Sequence, residues 1–274
     1  MKLNVSELKG ISTEIRKDIV TMLHESGSGH PGGSLSAADI LATLYFNVMN
    51  IDSENPKMDG RDKFVLSKGH AAPVLYSALA RRGYFSVDEL LKLRKMGAML
   101  QGHPDMKGTP GVEMSTGSLG QGFSTSVGMA IANKLDKSPA KVYTLLGDGE
   151  LDEGIVWEAC MSAAHYKLDN LCAVVDFNGL QIDGLNTDVM DLLDIGAKWE
   201  SFGWNVIKVD GHDVEALLAA FAEANACKGK PSVLVATTIK GKGVSFMENQ
   251  AGWHGQAPNA EQLEIALKEL GGNQ

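Results

Sequence analysis

Residues 141–154 read KVYTLLGDGELDEG, an apolar run that stops abruptly in glycines and acids. The run from Val142 to Leu146 has the length and composition of a buried β-strand. Its ending, Gly147-Asp148-Gly149, indicates a sharp turn where another group can approach the backbone closely. The sequence therefore predicts that the Asp148 carboxylate lies at the end of a strand. The chain as a whole is acidic, with a formal net charge of −9.

Strands and helices alternate around this stretch. We predict strands at 64–67, 142–146, 171–175, 204–209 and 233–236, with helices at 120–135, 156–166 and 214–226. A further helix is expected after Lys68-Gly69-His70, running to Arg82. Continuous apolar strands spaced by amphipathic helices indicate a parallel sheet covered on both faces. The prediction is one doubly wound α/β domain over residues 1–274. Upstream we expect a helix over 8–25, and a second one to about residue 49 with Ser36 as its N-cap and Asp39 as its capping acid.

The composition excludes several classes of partner. The chain is 44% hydrophobic and 22% charged, as in ordinary globular proteins. Its acidic balance argues against nucleic acid and anionic membranes, which attract clustered lysine and arginine. The sequence contains no apolar run of about 18 residues and no signal peptide. Cys160, Cys172 and Cys227 lack ligand spacing, which indicates buried reduced thiols and a cytoplasmic location.

A second predicted strand tip also carries oxygen ligands. The strand at 171–175 runs into Asp176-Phe177-Asn178-Gly179. Neighbouring parallel strands end at the same sheet edge, so we expect Asp148 and Asn178 to lie side by side. Their oxygens suit Mg²⁺ or Ca²⁺, and an incomplete protein shell indicates a bound diphosphate. For the Gly-Asp-Gly turn alone, a capping aspartate remains the alternative.

Glycine adjoins five of the seven histidines. Their recurrence in Gly/Pro loops favours a ligand pocket for His30, His70, His103 and His254, whereas a single histidine is usually structural. We interpret His212 as part of a turn before the helix at 214, with Asp213 as its N-cap. None of the histidines pair at His-x-x-x-His spacing, which disfavours a histidine metal site.

Four acids follow the glycine turn: Glu150, Asp152, Glu153 and Glu158. Acids in the first turn of a helix favour its dipole and need no other role. Only Glu153 is kept as a functional candidate.

Several motifs together resemble a known family. Gly147-Asp148-Gly149, then 28 residues, then Asn178, is similar to the motif that binds metal and thiamine diphosphate. The likeness to the N-terminal half of transketolase runs from about residue 10 to residue 258. It rests on SGHPGGSLS (28–36), LSKGHAAPVLY (66–76), GHPDMKGTPGVEMSTGSLGQG (102–122), GDGELDEG (147–154), IKGKG (239–243) and WHG (253–255).

The resemblance implies roles for individual residues. The implied metal ligands are Asp148, Asn178 and the carbonyl of Leu180. The implied cofactor contacts are His70, the Gly117-Ser118-Leu119 loop, Gly149, Asn178, Lys240 and His254. Ser118 stands where many relatives have proline. The implied catalytic residues are His30, His103 and His254 near the reacting end, with Glu153 touching an activating glutamate across a subunit interface.

The resemblance also implies an activity and a partner. It implies transfer of a two-carbon ketol unit from a ketose (phosphate) to an aldose (phosphate), with thiamine diphosphate and Mg²⁺ or Ca²⁺. This sequence ends before the pyrimidine-binding and C-terminal domains, so we expect a split transketolase, active only with a C-terminal subunit in a two-plus-two heterotetramer. Dihydroxyacetone-forming or sulfosugar-cleaving enzymes, and a non-catalytic cofactor-binding module, remain alternatives.

Overall fold

Five parallel strands form the central sheet of the molecule, which the computed structural model describes over residues 2–271. The strands are β1 (Lys63–Leu66), β2 (Val142–Gly147), β3 (Leu171–Phe177), β6 (Asn205–Asp210) and β7 (Ser232–Thr237). Their order across the sheet is β1-β2-β3-β7-β6, and every pairing is parallel. A small antiparallel hairpin, β4 (Leu180–Gln181) with β5 (Gly184–Leu185), follows β3. The predicted doubly wound α/β fold is confirmed.

Helices cover both faces of the sheet. They are α1 (Val5–Ser26), α2 (Pro31–Ser36), α3 (Ala38–Thr43), α4 (Ala72–Arg82), α5 (Gln121–Leu135), α6 (Gly154–His165), α7 (Asn186–Val189), α8 (Ile195–Ser201), α9 (Val214–Ala226) and α10 (Ala260–Glu269). A π-helical turn continues α3 over Leu44–Val48, and short 3₁₀ turns lie at Gly69–Ala71, Val87–Lys92, Gly149–Asp152 and Ala251–His254. Within residues 2–271, no helix is both long enough and apolar enough to cross a membrane.

Side-chain alternation along the strands builds two cores. Along β2, Tyr143 and Leu145 enter the core beneath α1, α3, α4 and α9, whereas Val142 and Leu146 enter the core beneath α5, α6 and α8. Successive side chains of a strand point to opposite faces, so a strand buried on both faces must be apolar throughout. This requirement explains the unbroken apolar runs in the sequence.

The prediction for Ser36 is wrong. Pro31 begins α2 five residues earlier, Ser36 is its last residue, and α3 follows from an Ala37 cap. Proline is pre-organised for the first helical position, which accounts for the early start. The Ser36 hydroxyl donates to the carboxylate of Asp176 at 2.5 Å. The predicted capping acid, Asp39, instead pairs with other side chains.

A buried ion pair fastens the loops at the carboxyl edge of the sheet. Lys68, after β1, pairs with Asp176 at the end of β3, and both side chains are almost wholly inaccessible to solvent. Asp176 also accepts hydroxyl donors from Ser36 and from Thr238, which follows β7. Burial alone would raise the pKa of Asp176, but the Lys68 charge and these hydrogen bonds lower it. The carboxylate is therefore charged. It connects the end of β3 to three other segments: the loop after β1, the end of α2 and the loop after β7.

We predict that Asp176→Ala lowers the free energy of unfolding by about 3–5 kcal/mol, because it leaves the Lys68 ammonium buried without a counter-ion. Urea unfolding measures this change. Asp183→Ala is the matched control, since Asp183 is exposed on the neighbouring hairpin, and it should change the value by less than about 0.5 kcal/mol. Equal effects of the two substitutions would contradict the role assigned to the pair.

Candidate active site

A crevice of about 280 Å³ opens at the carboxyl edge of the sheet. Most of the residues that line it lie at or beyond the carboxyl ends of β1, β2, β3 and β7, where a doubly wound sheet binds ligands, and the others come from α2 and the loop before α5. They are Gly33, Lys68, His70, Gly117, Leu119, Gly147, Asp148, Gly149, Glu150, Asn178, Leu180, Gln181, Ile182, Lys240 and His254.

Asp148 presents a buried carboxylate to this crevice. Only 2% of the residue is exposed. Its Oδ1 accepts the N–H of Gly149 at 2.9 Å, and its Oδ2 accepts the N–H of Gly179 at 2.6 Å. Burial, followed by the nearby Asp176 charge, raises the pKa of Asp148 to about 6. The expected side-by-side placement of the β2 and β3 tips is confirmed.

Two further oxygens lie beyond β3. Asn178 Oδ1 accepts the N–H of Leu180 at 3.1 Å. The Leu180 carbonyl accepts a hydrogen bond from Lys240 Nζ at 3.1 Å. Lys240 Nζ also lies 3.2 Å from His254 Nδ1, and burial lowers the pKa of Lys240 to about 8. Lys240 therefore links the oxygen-rich end of the crevice to the histidines.

Four histidine rings lie close together at the other end, and two of them, His70 and His254, line the crevice. The His30 ring centroid lies 5.2 Å from that of His70, 5.4 Å from that of His254 and 6.3 Å from that of His103. The His70 and His254 centroids are 5.1 Å apart. His103 is exposed, and the other three are partly buried. The Nδ1 atom of His30 is buried with no hydrogen-bond partner among residues 2–271.

These rings are held as neutral imidazoles. Burial, and then the Arg94 charge, lowers the pKa of His30 to about 4. Burial, and then the Lys240 charge, lowers the pKa of His254 to about 4. Burial also lowers the pKa values of His70 and His103. A neutral imidazole has one nitrogen that donates a hydrogen bond and one that accepts one, so these rings can hydrogen-bond to both hydroxyl groups and oxyanions.

The remaining predicted residues are placed differently. Gly117 and Leu119 line the crevice, whereas the Ser118 between them is exposed outside the lining. Glu153 is the exposed N-cap residue of α6 and does not line the crevice.

Sequence reasoning missed three charged residues of the crevice. Lys68 and Asp176 form its buried ion pair. Glu150 does lie in the first turn of the 3₁₀ helix after β2, as the sequence indicates, but it has a further role: it is 2% exposed and accepts the N–H groups of Gly120 at 2.7 Å and Gly147 at 3.0 Å. A charged residue directly after an apolar strand is the signal that could have revealed Lys68 and Asp176.

The donor set fits a hard cation and an anionic group. Asp148, Asn178 and the Leu180 carbonyl supply three oxygens, the ligand type preferred by Mg²⁺ and Ca²⁺. Among residues 2–271, no three His, Cys, Asp or Glu side chains group as metal ligands, so a cation here would need amide, carbonyl and diphosphate oxygens. The ammonium groups of Lys68 and Lys240 give the acidic chain local positive charge.

Fold and site together define an α/β domain that binds an anionic cofactor between an oxygen-rich end and an imidazole end. Comparison with protein families matches residues 9–274 to the transketolase, thiamine diphosphate binding domain. The chain therefore belongs to the transketolase family, within its N-terminal, thiamine diphosphate-binding part.

Individual relatives agree with this assignment. The chain is 46% identical to a 6-deoxy-6-sulfo-D-fructose transketolase subunit of Clostridium sp. (strain MSTE9), over 96% of both chains. It is 42% identical to an apulose-4-phosphate transketolase subunit of Phocaeicola vulgatus, over 98% of this chain and 95% of the relative. The crystal structure of Campylobacter jejuni transketolase matches 99% of this chain with a TM-score of 0.93 and 33% identity, over 44% of that structure.

We predict that the His30 and His254 signals remain those of neutral imidazole down to about pH 5, because their pKa values are lowered to about 4. Imidazole C–H NMR titration measures this, with His30→Gln and His254→Gln assigning the signals. Between pH 4 and 6.5 the folded state binds fewer of these protons than the unfolded state. Their contribution to stability is therefore lost as the pH falls through that window. Midpoints at or above 6.5 would refute the shift.

Proposed function

We propose that this chain is the N-terminal subunit of a transketolase that moves a two-carbon ketol unit from a ketose (phosphate) to an aldose (phosphate). The observation that carries the proposal is one crevice with an oxygen-rich end at Asp148 and a histidine end at His70 and His254, against whose rings His30 packs. A site that only stored the cofactor would not need several imidazoles beside it. That argument disfavours the alternative of a non-catalytic module.

Thiamine diphosphate would lie along the crevice with its diphosphate towards the strand tips. Asp148, Asn178 and the Leu180 carbonyl would hold Mg²⁺ or Ca²⁺, and the Leu180 oxygen also accepts a hydrogen bond from Lys240 Nζ. The other proposed cofactor contacts are His70, Gly117, Ser118, Leu119, Gly149, Asn178, Lys240 and His254. The uncharged His70 ring and the Lys240 ammonium suit contact with a diphosphate–metal pair.

When bound, the cofactor supplies the thiazolium carbon that forms and breaks bonds with the sugar. The protein's part is acid–base chemistry and orientation. His30, His103 and His254 would donate hydrogen bonds to developing oxyanions or take protons from sugar hydroxyls.

The sugar pair is a separate choice. The named relatives act, by their names, on a sulfosugar and on apulose 4-phosphate. These names favour a second candidate, a two-carbon transferase for a sulfosugar. Parallel assays with 6-deoxy-6-sulfofructose and fructose 6-phosphate as ketol donors distinguish the two.

A partner chain would complete the site. Both of the named relatives that match over their full length are themselves called subunits, which supports this part of the proposal. An exposed apolar strip beside the crevice offers a docking surface: Ile182 is 62% exposed, Leu185 51%, Met190 58% and Leu193 74%. We propose that it meets a C-terminal transketolase subunit carrying the pyrimidine-binding domain, in a two-plus-two heterotetramer. The exposed Glu153 would then face that partner.

Domain organisation and location follow as further proposals. We propose that residues 1–274 form a single diphosphate-binding domain, with the pyrimidine-binding and C-terminal domains on the partner. Cys160 and Cys172 are buried, as expected, whereas Cys227 is only partly buried, so the prediction of a buried thiol is wrong for that residue. All three are free thiols, which supports a cytoplasmic location.

We predict that Asp148→Ala abolishes magnesium-dependent binding of thiamine diphosphate, because the cation loses its charged protein ligand. Isothermal calorimetry measures the affinity, and thermal unfolding confirms that the variant is folded. Asp152→Ala is the matched control, since Asp152 is exposed one turn away. Binding that remains magnesium-dependent and unweakened in Asp148→Ala would refute the metal site.

The experiment that tests the proposed function is reconstitution. We expect no ketol transfer from this chain alone, because the glutamate that activates the cofactor would belong to the partner. Transfer should appear when a C-terminal transketolase subunit is added. Robust activity of the isolated chain, in a preparation free of host enzyme, would overturn the split-enzyme proposal.

In the reconstituted enzyme, we predict that His103→Ala lowers turnover about 100- to 1000-fold, the usual loss for one oxyanion donor. Cofactor affinity should stay within about threefold, since His103 lies at the reacting end and outside the crevice lining. His165→Ala is the control, because His165 ends α6 beside Tyr166 and away from the cluster. Near-normal turnover in His103→Ala would contradict the assignment.

A further inference from the structure

The His212 ring joins two parts of the fold that are distant in sequence. Its Nδ1 lies 2.8 Å from Asp39 Oδ2. Its Nε2 accepts the backbone N–H of Ile239 at 2.9 Å. An imidazole nitrogen that accepts an amide N–H carries no proton, so Nδ1 carries it and donates to the carboxylate. The two contacts thus fix one tautomer and one ring orientation.

The carboxylate behind this ring is itself held rigidly. Arg16, on α1, donates to both oxygens of Asp39, on α3. Asp39 is 6% exposed. Although burial would raise the pKa of Asp39, the hydrogen bond from His212 and the Arg16 charge lower it well below its usual value. The Asp39 carboxylate is therefore charged and fixed in place by Arg16, and it accepts the hydrogen bond from His212 Nδ1–H.

The ring is not needed to cap α9. Asp213 does that alone, because its side chain accepts the N–H groups of Glu215 and Ala216. The turn interpretation from the sequence is confirmed for Asp213, but it does not account for the two ring contacts of His212.

The amide held by His212 belongs to the residue before Lys240. On its far side, the Gly241 N–H donates to the Gly32 carbonyl at 3.0 Å. The Lys240 side chain lies so close to Gly32 that a β-carbon there would be 3.0 Å from Lys240 Cγ. The backbone around Lys240 is thus pinned on both sides, and its ammonium reaches Leu180 and His254 from that fixed base.

We propose that His212 is a positioning residue: through Asp39 on one nitrogen and Ile239 on the other, it sets the backbone from which Lys240 enters the crevice. It does not touch the crevice, whose lining excludes it. Loss of the Ile239 contact frees one side of the Lys240 backbone, while loss of the Asp39 contact frees the ring to rotate.

Two substitutions separate these contacts. His212→Asn places an amide near the Nδ1 position, where it keeps the bond to Asp39 and withdraws the acceptor from Ile239. His212→Gln reaches the Nε2 position and keeps that acceptor. His24→Asn is the matched control, because His24 is a partly buried histidine with one backbone contact, to Pro258, away from the crevice.

Two measurements on the full chain decide the proposal. Amide hydrogen exchange of Ile239 should be about tenfold faster in His212→Asn, the usual effect of one lost hydrogen bond. It should be near native in His212→Gln and in the His24→Asn control. Long-range ¹⁵N NMR of the native chain should show His212 protonated at Nδ1. This measurement stands even if His212→Asn fails to fold.

The third measurement rests on the proposed function. Calorimetry with thiamine diphosphate and Mg²⁺ should show about tenfold weaker binding for His212→Asn, restored towards the native value in His212→Gln. If Ile239 exchange changes but cofactor affinity does not, the proposed effect of His212 on cofactor binding is refuted, whereas its contact with Ile239 still stands. Equal Ile239 exchange in both variants, or protonation of the native ring at Nε2, would overturn the positioning role itself.

Discussion

The Asp176 carboxylate is the point on which the architecture of the crevice depends. It lies at the end of a central strand, fully buried, with the Lys68 ammonium as its counter-ion. Hydroxyl groups from the end of α2 and from the loop after β7 complete its shell. Because a buried charge is costly unless it is fully paired, these segments cannot move apart independently. The neighbouring Asp148 is then left as the carboxylate available to a cation.

Different chemical groups occupy the two ends of the crevice along this edge of the sheet. The strand tips supply oxygens and backbone N–H groups, which suit a metal and a diphosphate. The Gly/Pro loops supply neutral imidazoles, each of which can donate one hydrogen bond and accept another. Lys240 lies between the two sets, because its Nζ donates to the Leu180 carbonyl and lies 3.2 Å from His254 Nδ1.

The sequence predicted the sheet well because strand burial on two faces leaves a direct signature, an unbroken apolar run. It also predicted that Asp148 and Asn178 lie at the same edge of the sheet, because parallel topology places the ends of neighbouring strands side by side. Both residues line the crevice at that edge. The sequence did not predict the burial of three charged residues, Lys68, Asp176 and Glu150. A charged residue that will be buried cannot be told from an exposed one by sequence until its partner in the fold is known. Ser36 was misread for a related reason: its hydroxyl is used by a carboxylate 140 residues away rather than by its own helix.

The sequence distances around Asp176 bear on how the chain folds. Its partners lie 140, 108 and 62 residues away, on both sides of it. Closing such long loops is slow, so the shell of Asp176 belongs to the late stages of folding. During synthesis, β1, β2 and β3 all emerge before Thr238. Until β7 and Thr238 are added to the sheet, the Asp176 carboxylate at the end of β3 lacks one of its hydrogen-bond donors. A nascent chain stalled before β7 would therefore expose an unfinished sheet edge, the kind of surface that chaperones recognise.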